Sequence, residues 1–211
     1  VFILCLLPLT GGYHMNLMKA ESPGPSVSKL VPKVQSTAKI LYTIYIILTI
    51  VEIIFLLIGK MPLFDTLCLS FGTAGTGGFG IKNDSIASYS TYNQVVITVF
   101  MILFGINFNA YYLLLTKKVM QAAKNEEVRY YLGIIGLAIV AIAINTREMF
   151  TSFGRAFQQA AFQVGSIITT TGYATTDFNV WPVFSKTILV ILMFVGACAG
   201  STGGGIKVSR L

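Results

Sequence analysis

Residues 61–79 read MPLFDTLCLSFGTAGTGGF, and residues 152–173 read SFGRAFQQAAFQVGSIITTTGY. Each stretch begins with partly apolar residues that are compatible with a helix. Each ends in a run of glycine and threonine, which are poor helix formers. A helix needs about 20 apolar residues to cross a bilayer, so neither helical part is long enough to do so. We therefore predict two short re-entrant helices, each followed by non-helical backbone within the membrane.

The rest of the chain supports a membrane location. Of its 211 residues, 55% are hydrophobic and 11% are charged, and the mean hydropathy is +0.75. An average soluble domain has about 25% charged residues, so this composition excludes a soluble globular protein. Four apolar segments are predicted to span the bilayer as helices: residues 38–59, 94–116, 130–144 and 183–199.

The two re-entrant stretches belong to an internal repeat. Gly78 and Gly172 are 94 positions apart, and the predicted spanning helices recur at nearly the same interval. Each unit therefore has the order helix, short re-entrant helix, glycine and threonine run, helix. The fold class that follows is an all-α integral membrane protein with repeated helix–pore-helix–helix units of a potassium-channel-like pore and re-entrant filter loops.

The loop charges predict the orientation in the membrane. Residues 11–39 and 117–129, together with Lys207 and Arg210, carry ten basic and three acidic residues, against five and four on the opposite side. Basic loops stay in the cytoplasm, so the first two loops are predicted to be cytoplasmic. Both units then enter from the same side, unlike the inverted repeats of many secondary transporters. The net charge of +7 lies in these loops and forms no stripe, so no nucleic-acid partner is expected.

The glycine and threonine runs have the chemistry of a cation filter. Backbone carbonyl oxygens can replace the water shell of a monovalent cation, and the C-terminus of a short helix favours positive charge. No carboxylate stands in either run, which argues against a divalent-cation site. A nucleophile–base pair and a metal cluster are also missing from the sequence, since His14 is the only histidine and the three cysteines are far apart. We therefore expect no enzymatic step and no cofactor, only the transported ion.

Five strings, in order along the chain, carry a family resemblance. They are AESPGPSVSKLVPK at 20–33, GTAGTGGFG at 72–80, GINFNAYYLLL at 105–115, IITTTGYATTDFNVWP at 167–182 and GACAGSTGGGIK at 196–207. The chain resembles the Trk/Ktr/HKT superfamily of potassium transporters, most closely its TrkH branch. That resemblance implies four pore units in one chain, of which this sequence is expected to be a fragment. Residues 1–11 would end the first unit, 12–36 form a cytoplasmic loop, 37–118 the second unit, 119–129 another cytoplasmic loop, and 130–211 most of the third unit.

The resemblance also implies which residues bind and gate the ion. The second-unit filter, a potassium site, would be Gly75, Thr76, Gly77, Gly78 and Phe79. The third-unit filter would be Thr169, Thr170, Thr171, Gly172 and Tyr173. A helix that starts at Pro182 has risen only about 21–24 Å by Gly196, so it is expected to break inside the bilayer at a glycine-rich gate loop. The gate residues would be Gly196, Gly200, Ser201, Thr202, Gly203, Gly204 and Gly205.

The expected function is potassium uptake through a channel-like pore. Two alternatives stay open, a sodium- or proton-coupled potassium symporter and a sodium-permeable variant, because two filter strands implied by the resemblance are not in this sequence. The resemblance further implies a multi-pass protein of the bacterial inner membrane. It also implies a homodimer in the lipid bilayer with a cytoplasmic nucleotide-binding regulatory subunit of the RCK/TrkA type.

Three polar residues in the predicted spans have two interpretations each. Glu52 is a carboxylate within a spanning helix, which marks a functional site or a structural hydrogen bond to a neighbouring helix or water. Asn107 and Asn109 line the pore or brace two helices by an ordinary hydrogen bond.

Residues 75–80 formally match G-x-G-x-x-G, but a helix is predicted before them where a dinucleotide fold needs a strand.

Overall fold

The structure is a computed structural model that describes residues 34–118, 120–121 and 125–210. The predicted end of the first unit, the string at 20–33 and His14 lie outside these residues. The helices with defined bounds are α1 (Val34–Ile58), α2 (Leu63–Ala74), α3 (Thr91–Phe104), α4 (Phe108–Leu115), α5 (Glu126–Asn145), α6 (Phe153–Ile168) and α7 (Val183–Phe194). Three short 3₁₀ segments lie at Arg147–Met149, Phe178–Val180 and Val208–Arg210.

The helices pack as two similar units. In the second unit, α1, α2 and α3 contact one another, and in the third unit α5, α6 and α7 do the same. Contacts between α3 and α6 join the two units. Each unit has its own hydrophobic core, but Phe162 and Tyr173 of the third unit lie in the core of the second. The two units are therefore interlocked through the short helices and the segments that follow them.

Two helices are long and apolar enough to cross a membrane, Lys39–Ile58 and Glu126–Asn145. They correspond to the predicted spans 38–59 and 130–144. Asn125 caps the start of α5, because its side chain accepts from the backbone N–H groups of Glu127 and Val128. Capping at Asn125 explains why α5 begins several residues earlier than the apolar run alone indicates.

The predicted span 94–116 is wrong as a single helix. The chain bends by 90° between α3 and α4. Gly105 terminates α3, and the Asn107 side chain starts α4 by accepting from the Asn109 N–H at 2.9 Å. Glycine followed by a capping asparagine is a helix stop and a new helix start, so the signal for the break was present in the sequence.

The helix of the predicted span 183–199 ends early, close to the break expected at Gly196. Pro182 precedes the first turn of α7, as the Trp181–Pro182 pair indicated, but the helix already ends at Phe194. Its 12 residues rise only about 18 Å. Beyond it, the Gly196 N–H donates to the Ile206 carbonyl at 2.7 Å, and Val195 and Ile206 form an isolated parallel β-bridge. Residues 195–206 thus form a closed loop where the helix would otherwise continue.

Candidate functional site

Two five-residue segments, residues 75–79 and 169–173, follow the C-terminal ends of α2 and α6; we call them the filter strands. Their φ angles are positive at alternate residues, +51° at Thr76 and +69° at Gly78, then +59° at Thr170 and +89° at Gly172. A positive φ is a strained outlier for a β-branched residue such as threonine. Such strain persists only where the surrounding structure enforces it. Here it occurs at matching positions of both units, 94 residues apart.

The N–H groups of both strands point back to the short helices. Alternation of left- and right-handed backbone angles turns successive N–H groups to one side of the chain. The same three bonds recur in each unit with the 94-residue offset. They run from Gly75 to Phe71 (2.9 Å), Thr76 to Thr73 (3.2 Å) and Gly77 to Gly72 (2.7 Å), and from Thr169 to Gly165 (3.2 Å), Thr170 to Ile167 (3.0 Å) and Thr171 to Ser166 (2.9 Å).

The central carbonyl groups of the strands, unlike the N–H groups, are not bonded to the short helices. Among the described residues, none donates a hydrogen bond to the carbonyl oxygens of residues 76–78 or 170–172. Polar backbone at membrane depth needs a partner or a water-lined cavity. These oxygens are therefore available to an ion or to water. No group of three or more His, Cys, Asp or Glu residues lies together in the described part of the chain.

The two strands approach each other at Gly78. A Cβ atom on Gly78 would lie 1.9 Å from the Thr171 carbonyl oxygen and 3.2 Å from the Gly172 α-carbon. No side chain fits into this space, and the positive φ of Gly78 independently favours glycine. By contrast, a Cβ on Gly172 would meet no described atom within 4 Å. The contact between the strands is therefore one-sided, with Gly78 facing the third unit.

Tyr173 connects its strand to the short helix of the other unit. Its side chain is 1% exposed, and its hydroxyl donates to the Leu69 carbonyl of α2 at 3.2 Å. The hydroxyl also fills the space beside Gly72, where a Cβ would lie 2.2 Å away. Phe79 has the equivalent place in the second unit but is 86% exposed. The structure thus brings the two predicted filter segments into contact at Gly78, Thr171 and Gly172, buries the Tyr173 ring against α2 and leaves the Phe79 ring exposed.

Hydroxyl groups behind the third-unit strand fix its shape. Ser166 donates to the Tyr173 carbonyl at 2.6 Å. Thr169 donates to the Gly165 carbonyl at 2.7 Å and also lies 2.8 Å from the Thr171 hydroxyl. Because the Thr169 hydroxyl has a single proton, Thr171 is the donor in that pair. All three hydroxyl residues are buried, so they act as internal supports.

The predicted gate loop lies directly against both filter strands. Thr76 donates through its hydroxyl to the Thr202 carbonyl at 3.4 Å. The Gly204 N–H donates to the Thr170 hydroxyl at 2.8 Å. A Cβ on Gly203 would lie 3.2 Å from the Thr169 carbonyl oxygen. The loop therefore occupies the space at the end of the strands where they leave the short helices.

The gate loop is docked on the break between α3 and α4. The Thr202 N–H and hydroxyl both reach the Phe104 carbonyl at 3.3 Å. The Cys198 N–H donates to Gly105, and the Gly200 carbonyl accepts from Phe108, each at 3.1 Å. The last carbonyls of a helix lack partners within that helix. The break in the second-unit helix therefore supplies the partners that hold the third-unit loop.

The segments that follow the filter strands are tied together as well. Ile86 donates its N–H to the Ala174 carbonyl at 3.0 Å, and Ala174 donates to the Ser85 hydroxyl at 3.2 Å. Tyr89 donates its hydroxyl to Asp65 at the start of α2, at 2.7 Å. Burial and this hydrogen bond raise the pKa of the Tyr89 phenol. The loop between α2 and α3 is thus anchored both to the segment after the third-unit strand and to the start of α2.

Glu52 was singled out by the sequence and is completely buried in α1. It lies beside the Thr73 hydroxyl near the end of α2. Neither of its carboxyl oxygens has a hydrogen-bond partner among the described protein groups. Sequence reasoning missed Glu127, which it counted only as a cytoplasmic loop charge. Its carboxylate contacts the gate loop.

This architecture, with paired re-entrant helices, carbonyl-lined strands and spanning helices around them, defines a pore-type integral membrane transport protein. The whole chain, residues 1–211, matches the TrkH family, described as "Cation transport protein". The chain belongs to that family. The predicted all-α membrane fold and the predicted family are both confirmed.

Curated relatives agree with this assignment. The chain is 33% identical over 216 residues to the Trk system potassium uptake protein TrkH of Salmonella typhimurium and 36% identical over 219 residues to that of Vibrio parahaemolyticus. Each alignment covers 100% of this chain and 45% of the relative, so the chain spans less than half of their length. The crystal structure of the potassium transporter TrkH from Vibrio parahaemolyticus matches with a TM-score of 0.81 and 34% identity, over 92% of this chain and 43% of that one.

Proposed function

We propose that this chain forms part of a pore that passes potassium into the cell down its electrochemical gradient, without a chemical step. The observation that carries the proposal is the backbone of the two filter strands. Their N–H groups bond back to the short helices, while the carbonyl oxygens of residues 76–78 and 170–172 accept from no donor in the part of the chain that the structure describes. The relatives are named potassium uptake proteins of the Trk system, which supports potassium as the ion.

The proposed mechanism begins with dehydration of the ion at the strands. Carbonyl oxygens replace the water shell of the cation, and the C-terminal ends of α2 and α6 add their negative dipole ends. In our assignment the binding strands are Gly75 to Phe79 and Thr169 to Tyr173. Neither strand contains a carboxylate, so the site attracts a monovalent cation without holding it too strongly to release it.

The gate loop supplies the regulated step in this proposal. Its contacts with Thr76, Thr170 and the Thr169 region support a position across the proposed ion path at the end of both strands. Conduction then requires the loop to move away. Gly200 and Gly205 have φ angles of +71° and +74°, which glycine adopts without strain, so the loop can rearrange at a low energetic cost.

We also propose the partners that the family resemblance implies. They are a second copy of the protein in the bacterial inner membrane and a cytoplasmic nucleotide-binding subunit of the RCK/TrkA type. The relatives' names refer to a Trk system, which supports an assembly with several components. The basic segment at residues 117–129, which carries four basic residues, offers a cytoplasmic surface for such a subunit.

The first prediction tests the ion and the direction of transport. The complete gene product that carries this chain should restore growth at micromolar potassium to a bacterium that lacks its own potassium uptake systems. Uptake of ⁸⁶Rb⁺ should saturate and persist when sodium is omitted or when the proton gradient is removed at constant membrane potential. Failure to restore growth at micromolar potassium would reject the potassium proposal. Uptake that stops without sodium or without the proton gradient would establish a coupled symporter.

A second prediction concerns the support of the third-unit strand. The substitution Tyr173→Phe keeps the ring and removes the hydroxyl that donates to Leu69. Because this bond is buried, its loss should destabilise the strand by about 1 kcal/mol and lower the preference for rubidium over sodium several-fold. Competition of sodium against ⁸⁶Rb⁺ uptake measures the preference. Phe79→Tyr is the matched control, since it adds a hydroxyl to a ring that is 86% exposed.

A further inference from the structure

Glu127 contacts both the gate loop and the break between α3 and α4. Its Oε1 accepts the Ala199 N–H of the gate loop at 2.6 Å. Its Oε2 accepts from the Asn107 side-chain amide at 3.1 Å. Asn107 is the cap that starts α4 after the break. One carboxylate thus bridges the third-unit loop and the bend of the second-unit helix.

The two bridged segments are the ones that the ion-path proposal requires to separate. Residues 198–202 bond to residues 104–108 through the backbone, between Cys198 and Gly105, Gly200 and Phe108, and Thr202 and Phe104. These backbone bonds are neutral. Glu127 adds two bonds to a charged acceptor, and hydrogen bonds to ionised groups are about twice as strong as neutral ones. It is therefore the strongest single connection between the loop and the break.

The position of Glu127 in the chain connects this contact to the cytoplasmic side. It is the second residue of α5 and lies within the predicted cytoplasmic loop at 117–129. The helix does not need its carboxylate as a cap, because Asn125 caps α5 through bonds to the Glu127 and Val128 N–H groups at 3.1 and 3.4 Å. The carboxylate is thus free to serve the loop.

Lys207 provides a second charge on the same loop. Its ammonium donates to the Gly203 carbonyl. The loop thus accepts an anion of α5 at Ala199 and carries its own cation. A shift of α5 moves the anion and leaves the cation with the loop.

We propose that Glu127 is the latch of the gate, a positioning residue that keeps the loop closed until a movement of the start of α5 pulls its carboxylate away. The latch rests on the proposed function, since a gate presupposes an ion path. A regulatory subunit that moves the start of α5 would open the pore through Glu127 without touching the filter strands.

The test compares three single variants of the complete protein in proteoliposomes by ⁸⁶Rb⁺ flux. Glu127→Ala removes both bonds and should raise the basal flux about tenfold, the factor that corresponds to ~1.4 kcal/mol. Asn107→Asp keeps the oxygen that caps α4 but puts a second carboxylate against Glu127, so it should raise the flux as well. Glu126→Ala is the matched control: it removes the same charge one residue earlier, from an exposed side chain, and should leave the flux unchanged.

The direction of the change separates the latch from a structural role. A misfolded variant loses flux, whereas an unlatched one gains it and keeps its preference for rubidium over sodium. Glu127→Ala with flux equal to or below that of Glu126→Ala would overturn the latch, as would Asn107→Asp without a gain. In either case a conducting parent protein leaves the potassium proposal intact. A parent protein that passes no rubidium under any condition would instead reject the proposed function.

Discussion

The substitution Gly78→Ala should reduce potassium uptake at least about tenfold, which corresponds to an increase in activation free energy of ~1.4 kcal/mol or more. The Cβ would lie 1.9 Å from the Thr171 carbonyl oxygen, which is one of the proposed ion ligands, and it would force the two strands apart. The φ of +69° adds strain of about 1–2 kcal/mol for any residue with a side chain. Uptake of ⁸⁶Rb⁺, with and without competing sodium, measures both the rate and the preference.

Two further glycine variants make this result specific. Gly172→Ser should also impair uptake, because its φ of +89° is unsuitable for serine even though no described atom lies within 4 Å of its Cβ. Gly136→Ala in the middle of α5 meets no described atom within 4 Å and should leave uptake unchanged, with a gain in helix stability of about 0.5–1 kcal/mol. If Gly78→Ala and Gly172→Ser both match Gly136→Ala in uptake and ion preference, the filter assignment is wrong.

Removal of residues 200–204 should raise the ion flux by an order of magnitude or more. This deletion eliminates the loop carbonyl that accepts from Thr76, the N–H that binds Thr170 and the contacts with Phe104 and Phe108. The path at the end of the filter strands would then be unobstructed, while the strands keep their own bonds to α2 and α6. Single-channel recording or ⁸⁶Rb⁺ efflux from proteoliposomes gives the readout.

A point substitution supports the deletion. In Gly196→Ala the Cβ would lie 2.3 Å from the Gly204 carbonyl oxygen, so the two ends of the loop cannot close as they do here. It should therefore change the flux in the same direction as the deletion but to a smaller extent. Gly133→Ala on α5, with no atom within 4 Å of its Cβ, is the control. Unchanged flux in both the deletion and Gly196→Ala would refute a gating role for the loop.

Much of the architecture could be predicted from the sequence because the bilayer restricts the possible structures. Two apolar runs of sufficient length could only be helices, and α1 and α5 lie where the hydropathy indicates. The glycine and threonine runs predicted non-helical backbone after short helices, and the structure has such backbone after α2 and α6. Their roles in ion binding stay predictions that the substitutions above test.

Other features could not be read from hydropathy. An apolar run reports burial in lipid or protein but not continuity of the helix, so the 90° bend at Gly105 was missed. The end of α7 at Phe194, by contrast, lies two residues before the break expected at Gly196. Glu127 was counted with the loop charges because its partner Ala199 lies 72 residues further along the chain. The unequal exposure of Phe79 and Tyr173 depends on which neighbour each ring meets, a property of the assembled units.

The bond between Tyr173 and Leu69 spans 104 residues, and it has a consequence for the order of assembly. The core of the second unit stays incomplete until Phe162 and Tyr173 have been synthesised and inserted. Segments this distant in sequence must meet before either gains its full packing, and such long-range contacts form late. The two units therefore complete their folding together, and the second unit becomes fully packed only after the third unit has been inserted.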